Sequence, residues 1–92
     1  MRFTWDETKR LTNLNKHGSD FADAEKVFDG PLVLFEDQRH DYGEQRMIAI
    51  GFLETLLVLV VHVESDDEIR IISMRKAEYH EADLYYQNIG FF

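Results

Sequence analysis

The feature that most constrains this chain is a run of six apolar residues, Leu56-Leu57-Val58-Leu59-Val60-Val61, set between polar, turn-forming residues. That is strand length, far short of the ~20 residues a membrane-spanning helix needs. Residues 32–35, 46–53 and 69–74 share its character, being rich in Val, Ile, Leu and Phe. Together with residues 56–64 they read as four strands. Asp41-Tyr42-Gly43 suits the first turn and Ser65-Asp66-Asp67 the last, because Asp, Ser and Gly accept turn geometry. Connections this short imply an antiparallel meander. The second strand is apolar on both sides, with Ile48, Ile50 and Phe52 on one and Met47 and Ala49 on the other. Such a sheet needs cover on both faces, which predicts helices on each side.

Spacing locates those helices. Phe3 to Trp5 fit a short edge strand, and Thr4-Trp5-Asp6-Glu7 has capping-box spacing. A helix follows to about His17, closed by Gly18, which accepts the left-handed conformation. Leu11 and Leu14 mark its expected buried side, while Lys9, Asn13, Lys16 and His17 share another. Ser19 or Asp20 caps a second helix carrying Phe21, Ala24, Val27 and Phe28, and Asp29-Gly30-Pro31 stops it. A third helix is expected from Arg75 to about Asn88, with Ala77, Leu84, Tyr85 and Asn88 inward. Ile89-Gly90-Phe91-Phe92 then forms an apolar tail suited to docking on the sheet or on a partner. The fold class expected from this order is α+β: two N-terminal helices packed on a four-stranded antiparallel sheet, with a C-terminal helix.

Ninety-two residues make one domain, and a 45% hydrophobic content argues against disorder. The absence of cysteine excludes disulfides and thiolate metal sites and fits a reducing compartment. The first residues lack the apolar core of a signal peptide, so a soluble cytoplasmic protein is expected. The net charge of -8, from 18 acidic and 10 basic residues, runs against a nucleic-acid enzyme. Only a local gathering of cations would reconcile the two.

Several stretches, in order along nearly the whole chain, resemble the BrnT toxin family. They are Trp5-Asp6, Lys9, Asn13 and Lys16-His17-Gly18; Phe21, Ala24, Val27-Phe28, Asp29 and Pro31-Leu32; Asp37, Arg39, Gly43-Glu44 and Arg46; Ile48-Ala49-Ile50-Gly51; and Ile69-Arg70-Ile71-Ile72-Ser73, Arg75-Lys76-Ala77 and Glu81. The resemblance implies a RelE-like fold and a ribonuclease that blocks growth by cutting RNA. It implies as partner a BrnA-like ribbon-helix-helix antitoxin, through which alone operator DNA would be contacted. Two departures stand out: Ser65 occupies a position where the family often has arginine, and Glu78-Tyr79-His80-Glu81-Ala82-Asp83 is acidic where the family tends to be basic. They leave open an alternative, a degenerate homologue that binds antitoxin and regulates its operon without cutting RNA.

Metal-independent RNA cleavage needs a base for the 2′-hydroxyl, an acid for the 5′-oxygen and fixed positive charge at the phosphate. Arginine suits the phosphate, since it is always charged and donates two bonds at once. Arg70 and Arg75 are the first candidates. Being five apart, they face opposite ways on an unbroken strand unless it turns near Ser73; a structural ion pair with Glu64 competes for Arg70. Arg39 and Arg46 are candidates for substrate binding, with Glu44 beside them as a candidate catalytic carboxylate; surface ion pairing competes there. His17 is a candidate proton carrier, although a cation at a helix end is also favoured by the dipole. Lys9 and Lys16 are candidates for RNA contact, against the plain alternative of a solvated helix face. The four histidines show no metal-ligand spacing, and no metal or other cofactor is expected.

Overall fold

The computed structural model describes residues 1–89; Gly90 to Phe92, and with them most of the expected apolar tail, lie outside the described residues. The elements are β1 (Arg2–Trp5), α1 (Glu7–His17), a 3-10 turn (Phe21–Asp23) running into α2 (Ala24–Phe28), β2 (Val33–Glu36), β3 (Met47–Leu53), β4 (Leu56–Glu64), β5 (Glu68–Lys76) and α3 (Tyr79–Asn88). The sheet has five strands in the order β1-β5-β4-β3-β2. The expected meander is its antiparallel part, and β1 adds a fifth strand parallel to β5, so the sheet is mixed rather than four-stranded and antiparallel. β1 joins because Phe3 and Trp5 pack on the core while Arg2 bonds Glu68 across the pair at 2.7 Å.

Both faces are covered, as the two-sided apolar pattern requires. Phe21, Ala24 and Val27 meet Ala49, Val58, Val60, Ile69, Ile71 and Met74 on one face. Tyr85 of α3 meets Ile48, Ile50, Leu59 and Val61 on the other, with Ile89 packed beside them. The second N-terminal helix is shorter than expected, because its first turn is 3-10 and Asp29-Gly30-Pro31 follows at once. Gly51 lets α2 approach β3: a Cβ there would lie 2.7 Å from Leu32 and 3.1 Å from Val27.

Four local expectations are corrected. The N-cap of α1 is Asp6, whose carboxylate accepts from the Lys9 N–H at 3.0 Å; Thr4 is held in β1 opposite Arg70. Leu11 is half exposed, and the buried residue of α1 is Asn13. The chain stays extended through Lys76, so α3 begins at Tyr79 rather than Arg75. Its buried residues are Glu81 and Tyr85, while Leu84 and Asn88 are exposed.

Candidate functional site

Two local devices shape the surface where α1 meets β5. The first is a bulge. Val61 pairs with Ser73 and His62 with Ile71, which leaves Ile72 without a residue opposite. The extra residue reverses the alternation, so Arg70, opposite Val63, and Arg75, opposite Leu59, share the face of the sheet that α3 covers. The second device is Asn13. Past Ile71 the outer edge of β5 has no strand beside it, because β1 ends there. The Asn13 amide takes the place of a strand: it donates to the Met74 carbonyl at 2.7 Å, accepts from the Met74 N–H at 3.2 Å and donates to the Ser19 carbonyl at 3.0 Å. It thereby fixes α1 against the last third of β5.

The result is two adjoining depressions. Lys16, His17, Arg75, Lys76 and Glu78 line one. Lys9, Lys16, His17, Ile72 and Ser73 are among the residues lining the next. Seven of the ten basic residues are in ion pairs: Arg2, Arg10, Lys26, Arg39, Arg46, Arg70 and Arg75. Among the described residues, no carboxylate lies within ion-pair range of the other three, Lys9, Lys16 and Lys76. All three line these depressions.

Arg75 stands at the junction with a further cleft, which also includes Phe35, Arg39, Ile48, His80 and Glu81. Its guanidinium donates to both oxygens of Glu81, at 2.8 and 2.7 Å. Glu81 also accepts from the Glu78 N–H at 2.7 Å, so one carboxylate fixes Arg75 and the start of α3 together. Burial alone would raise the Glu81 carboxyl, but Arg75 and that N–H outweigh it and hold it below the usual range. Glu81 raises the Arg75 guanidinium in turn, against burial and the opposing charge of nearby Arg39. Glu78, His80 and Glu81 have potential ligand atoms within 4.8 Å of one another. The Glu81 oxygens already serve Arg75, so the cluster is an extension of that ion pair.

The remaining candidates form a separate network between the β2–β3 loop and Arg70 of β5. Asp37, buried at the end of β2, accepts from Arg39 Nε and Nη2, both at 2.7 Å, and from the Tyr42 hydroxyl at 3.1 Å. Arg39 leads the causes that hold the Asp37 carboxyl far below the carboxylate range. Glu44 accepts from Arg70 at 2.6 Å and from Arg46 at 3.3 Å, and Arg46 stacks 4.1 Å over the Tyr42 ring. Arg70 therefore pairs with Glu44 rather than Glu64. Glu64 instead bonds the buried His62 at 2.9 Å.

The structure thus brings together Lys9, Lys16, His17 and Arg75, places Arg39 across a cleft from Arg75, and sets Arg46, Arg70 and Glu44 in a network of their own. The sequence reading missed the anchoring by Asn13, the clamp by Glu81 and the contribution of Lys76. The spacing of Glu78 and Glu81 is a helix-start signal that would have placed the clamp once residues 75 and 76 were read as strand.

The crystal structure of the Brucella abortus ribonuclease toxin BrnT, at 1.1 Å resolution, is similar to this fold with a TM-score of 0.69. The two are 33% identical over 85% of this chain and 97% of that one. No curated protein matches the chain. A family model described as the ribonuclease toxin BrnT of type II toxin–antitoxin systems matches residues 5–81. The bulged, helix-flanked sheet and its ordered motifs therefore place this chain in the BrnT family of ribonuclease toxins of type II toxin–antitoxin systems.

Proposed function

We propose that this chain is an endoribonuclease that binds RNA along the α1–β5 depressions and cleaves it without a metal. The observation that carries the reading is the convergence there of Lys9, Lys16 and Lys76, the three cations that no described carboxylate neutralises. In a chain of net charge -8, a phosphodiester meets these three lysines with Arg75 at this place, against one lining carboxylate, Glu78. His17 beside them takes the proton of the 2′-hydroxyl as that oxygen attacks phosphorus. The bond from phosphorus to the 5′-oxygen then breaks, a 2′,3′-cyclic phosphate forms, and the 5′-oxygen takes a proton from the protonated histidine or from water. Arg75, held in orientation by Glu81, stabilises charge on the phosphate. Arg39 adds a second guanidinium across the cleft, while Arg46, Arg70 and Glu44 hold the neighbouring loop.

The neutralising partner in this reading is a BrnA-like ribbon-helix-helix antitoxin that alone touches operator DNA, and the compartment is the cytoplasm. The antiparallel meander with helices on both faces supports a RelE-like classification. RNA incubated with purified protein in EDTA tests the central point: cleavage by the parent that is lost in His17→Ala and in Arg75→Ala supports it, and cleavage by both variants equal to the parent's removes it.

One observation favours a second reading. Each candidate arginine is already held by a carboxylate: Arg39 by Asp37, Arg46 and Arg70 by Glu44, and Arg75 by Glu81. A copy so neutralised fits a weak enzyme that persists as an antitoxin-binding, operon-regulating module. Expression without an antitoxin separates the two readings, because growth arrest with RNA loss contradicts the second.

A further inference from the structure

An open groove of about 360 Å³ lies next to the cationic depressions, within the usual range for a small-ligand site of about 300–1,000 Å³. Phe52, Leu57, Tyr79, Ala82 and Tyr86 are among the residues that line it. Tyr79, the first residue of α3, is 92% exposed, so it contributes almost nothing to the core. Lys76 and Glu78 line both this groove and the depression that holds Lys16, His17 and Arg75. An aromatic, largely apolar surface is therefore continuous with the lysines, through a shared lysine. Phosphates spaced along a strand with planar bases between them match that alternation of charge and ring.

We propose that this groove is a nucleobase subsite, in which Tyr79 stacks on an unpaired base of single-stranded RNA whose phosphates lie on Lys9, Lys16 and Lys76. The inference rests on the RNA-binding reading above and narrows it to unpaired RNA. A base held in a duplex keeps its faces stacked on its neighbours and has none to offer the ring. The strand must therefore be single where it crosses the seam at Lys76.

The test uses the full chain and a fluorescent 2′-O-methyl RNA, which has no free 2′-hydroxyl to attack phosphorus. Stacking of one base is worth about 1–3 kcal/mol, so Tyr79→Ala weakens binding about 5- to 150-fold. Tyr79→Phe, which keeps the ring, binds as the parent does. An oligonucleotide of the same length with abasic sites binds parent and Tyr79→Ala alike, and a duplex of that length does not respond to the substitution. Because Tyr79 is exposed, the alanine variant retains its thermal midpoint. Unchanged binding of the single strand by Tyr79→Ala overturns the subsite. If Lys9, Lys16 and Lys76 still matter to binding in that case, the RNA reading stands without the base subsite. If neither substitution matters, the RNA reading falls as well.

Discussion

The loop between β2 and β3 and the seam between α1 and β5 hold the same kind of residue in opposite electrostatic states. At the loop, Arg39 and Arg46, with Arg70 from β5, are each matched to a carboxylate, and Tyr42 links the Asp37 and Glu44 pairs through its bond to Asp37 and the Arg46 stack. On the seam, Lys9, Lys16 and Lys76 lie next to one another's depressions with no described carboxylate in range. An acidic chain therefore does not have an evenly acidic surface. Its guanidiniums, with their planar forks, hold loops, a strand pair and a helix start, and Lys26 pairs with Asp23, while Lys9, Lys16 and Lys76 remain open to a ligand. Arg75 sits between the two regions, clamped like the first and lining the depressions like the second.

Substitutions that break this contrast are ranked by expected effect. Arg75→Ala removes the charge that the phosphate meets, and single-turnover cleavage falls about 100- to 1,000-fold. Arg70→Ala, measured in the same assay, changes the rate less than about threefold, because its partner lies in the loop network. A similar loss from both variants would erase the distinction between the regions.

Asn13→Ala is next. It leaves the Met74 N–H and carbonyl and the Ser19 carbonyl without their buried partner, at a cost of about 2–3 kcal/mol. Chemical denaturation reads that loss. RNA affinity falls with it, since α1 carries Lys9, Lys16 and His17 into place.

Asp37→Asn sharpens the loop side. The substitution weakens two charge-assisted bonds to Arg39 and costs about 1–2 kcal/mol at pH 7. The folded Asp37 carboxyl lies below its unfolded value, so its stabilisation is complete above the unfolded pKa of about 3.9 and fades as pH falls toward the folded value. The parent therefore loses stability below about pH 4 more steeply than Asp37→Asn does. Parallel acid-unfolding curves would contradict the assignment. The smallest effect belongs to Glu44→Gln, whose partly exposed ion pairs are worth about 0–1 kcal/mol by thermal melting.

Much of the fold is legible in the sequence because it depends on periodicity. Residues 46–53 show their two apolar faces, and Gly18 ends α1 in the left-handed conformation, with φ of 72°. Features that depend on a distant partner are not legible. Thr4 has the composition of a cap, but pairing of β1 with β5, sixty-odd positions away, claims it as strand. Asn13 reads as a polar helix face until the free edge of β5 is beside it. The same limit applies to the candidate site. The family stretches point to Arg70 and Arg75, and their spacing suggests opposite faces; the bulge at Ile72, which a sequence does not announce, puts them on one. Arg39 and Arg46 have their carboxylates two residues away, within reach of a sequence reading, whereas the pairing of Arg70 with Glu44 is a fact of tertiary structure.

Salt dependence of RNA binding probes the central claim, that three unneutralised lysines hold the phosphates. For single strands the logarithm of affinity falls with the logarithm of salt by about 0.7 per phosphate contact. Replacing Lys9, Lys16 and Lys76 with alanine should lower that slope by about 2 on a 2′-O-methyl oligonucleotide, while Arg46→Ala with Arg70→Ala leaves it close to the parent value. A slope unchanged by the lysine replacements, or reduced as much by the arginine pair, would contradict the account.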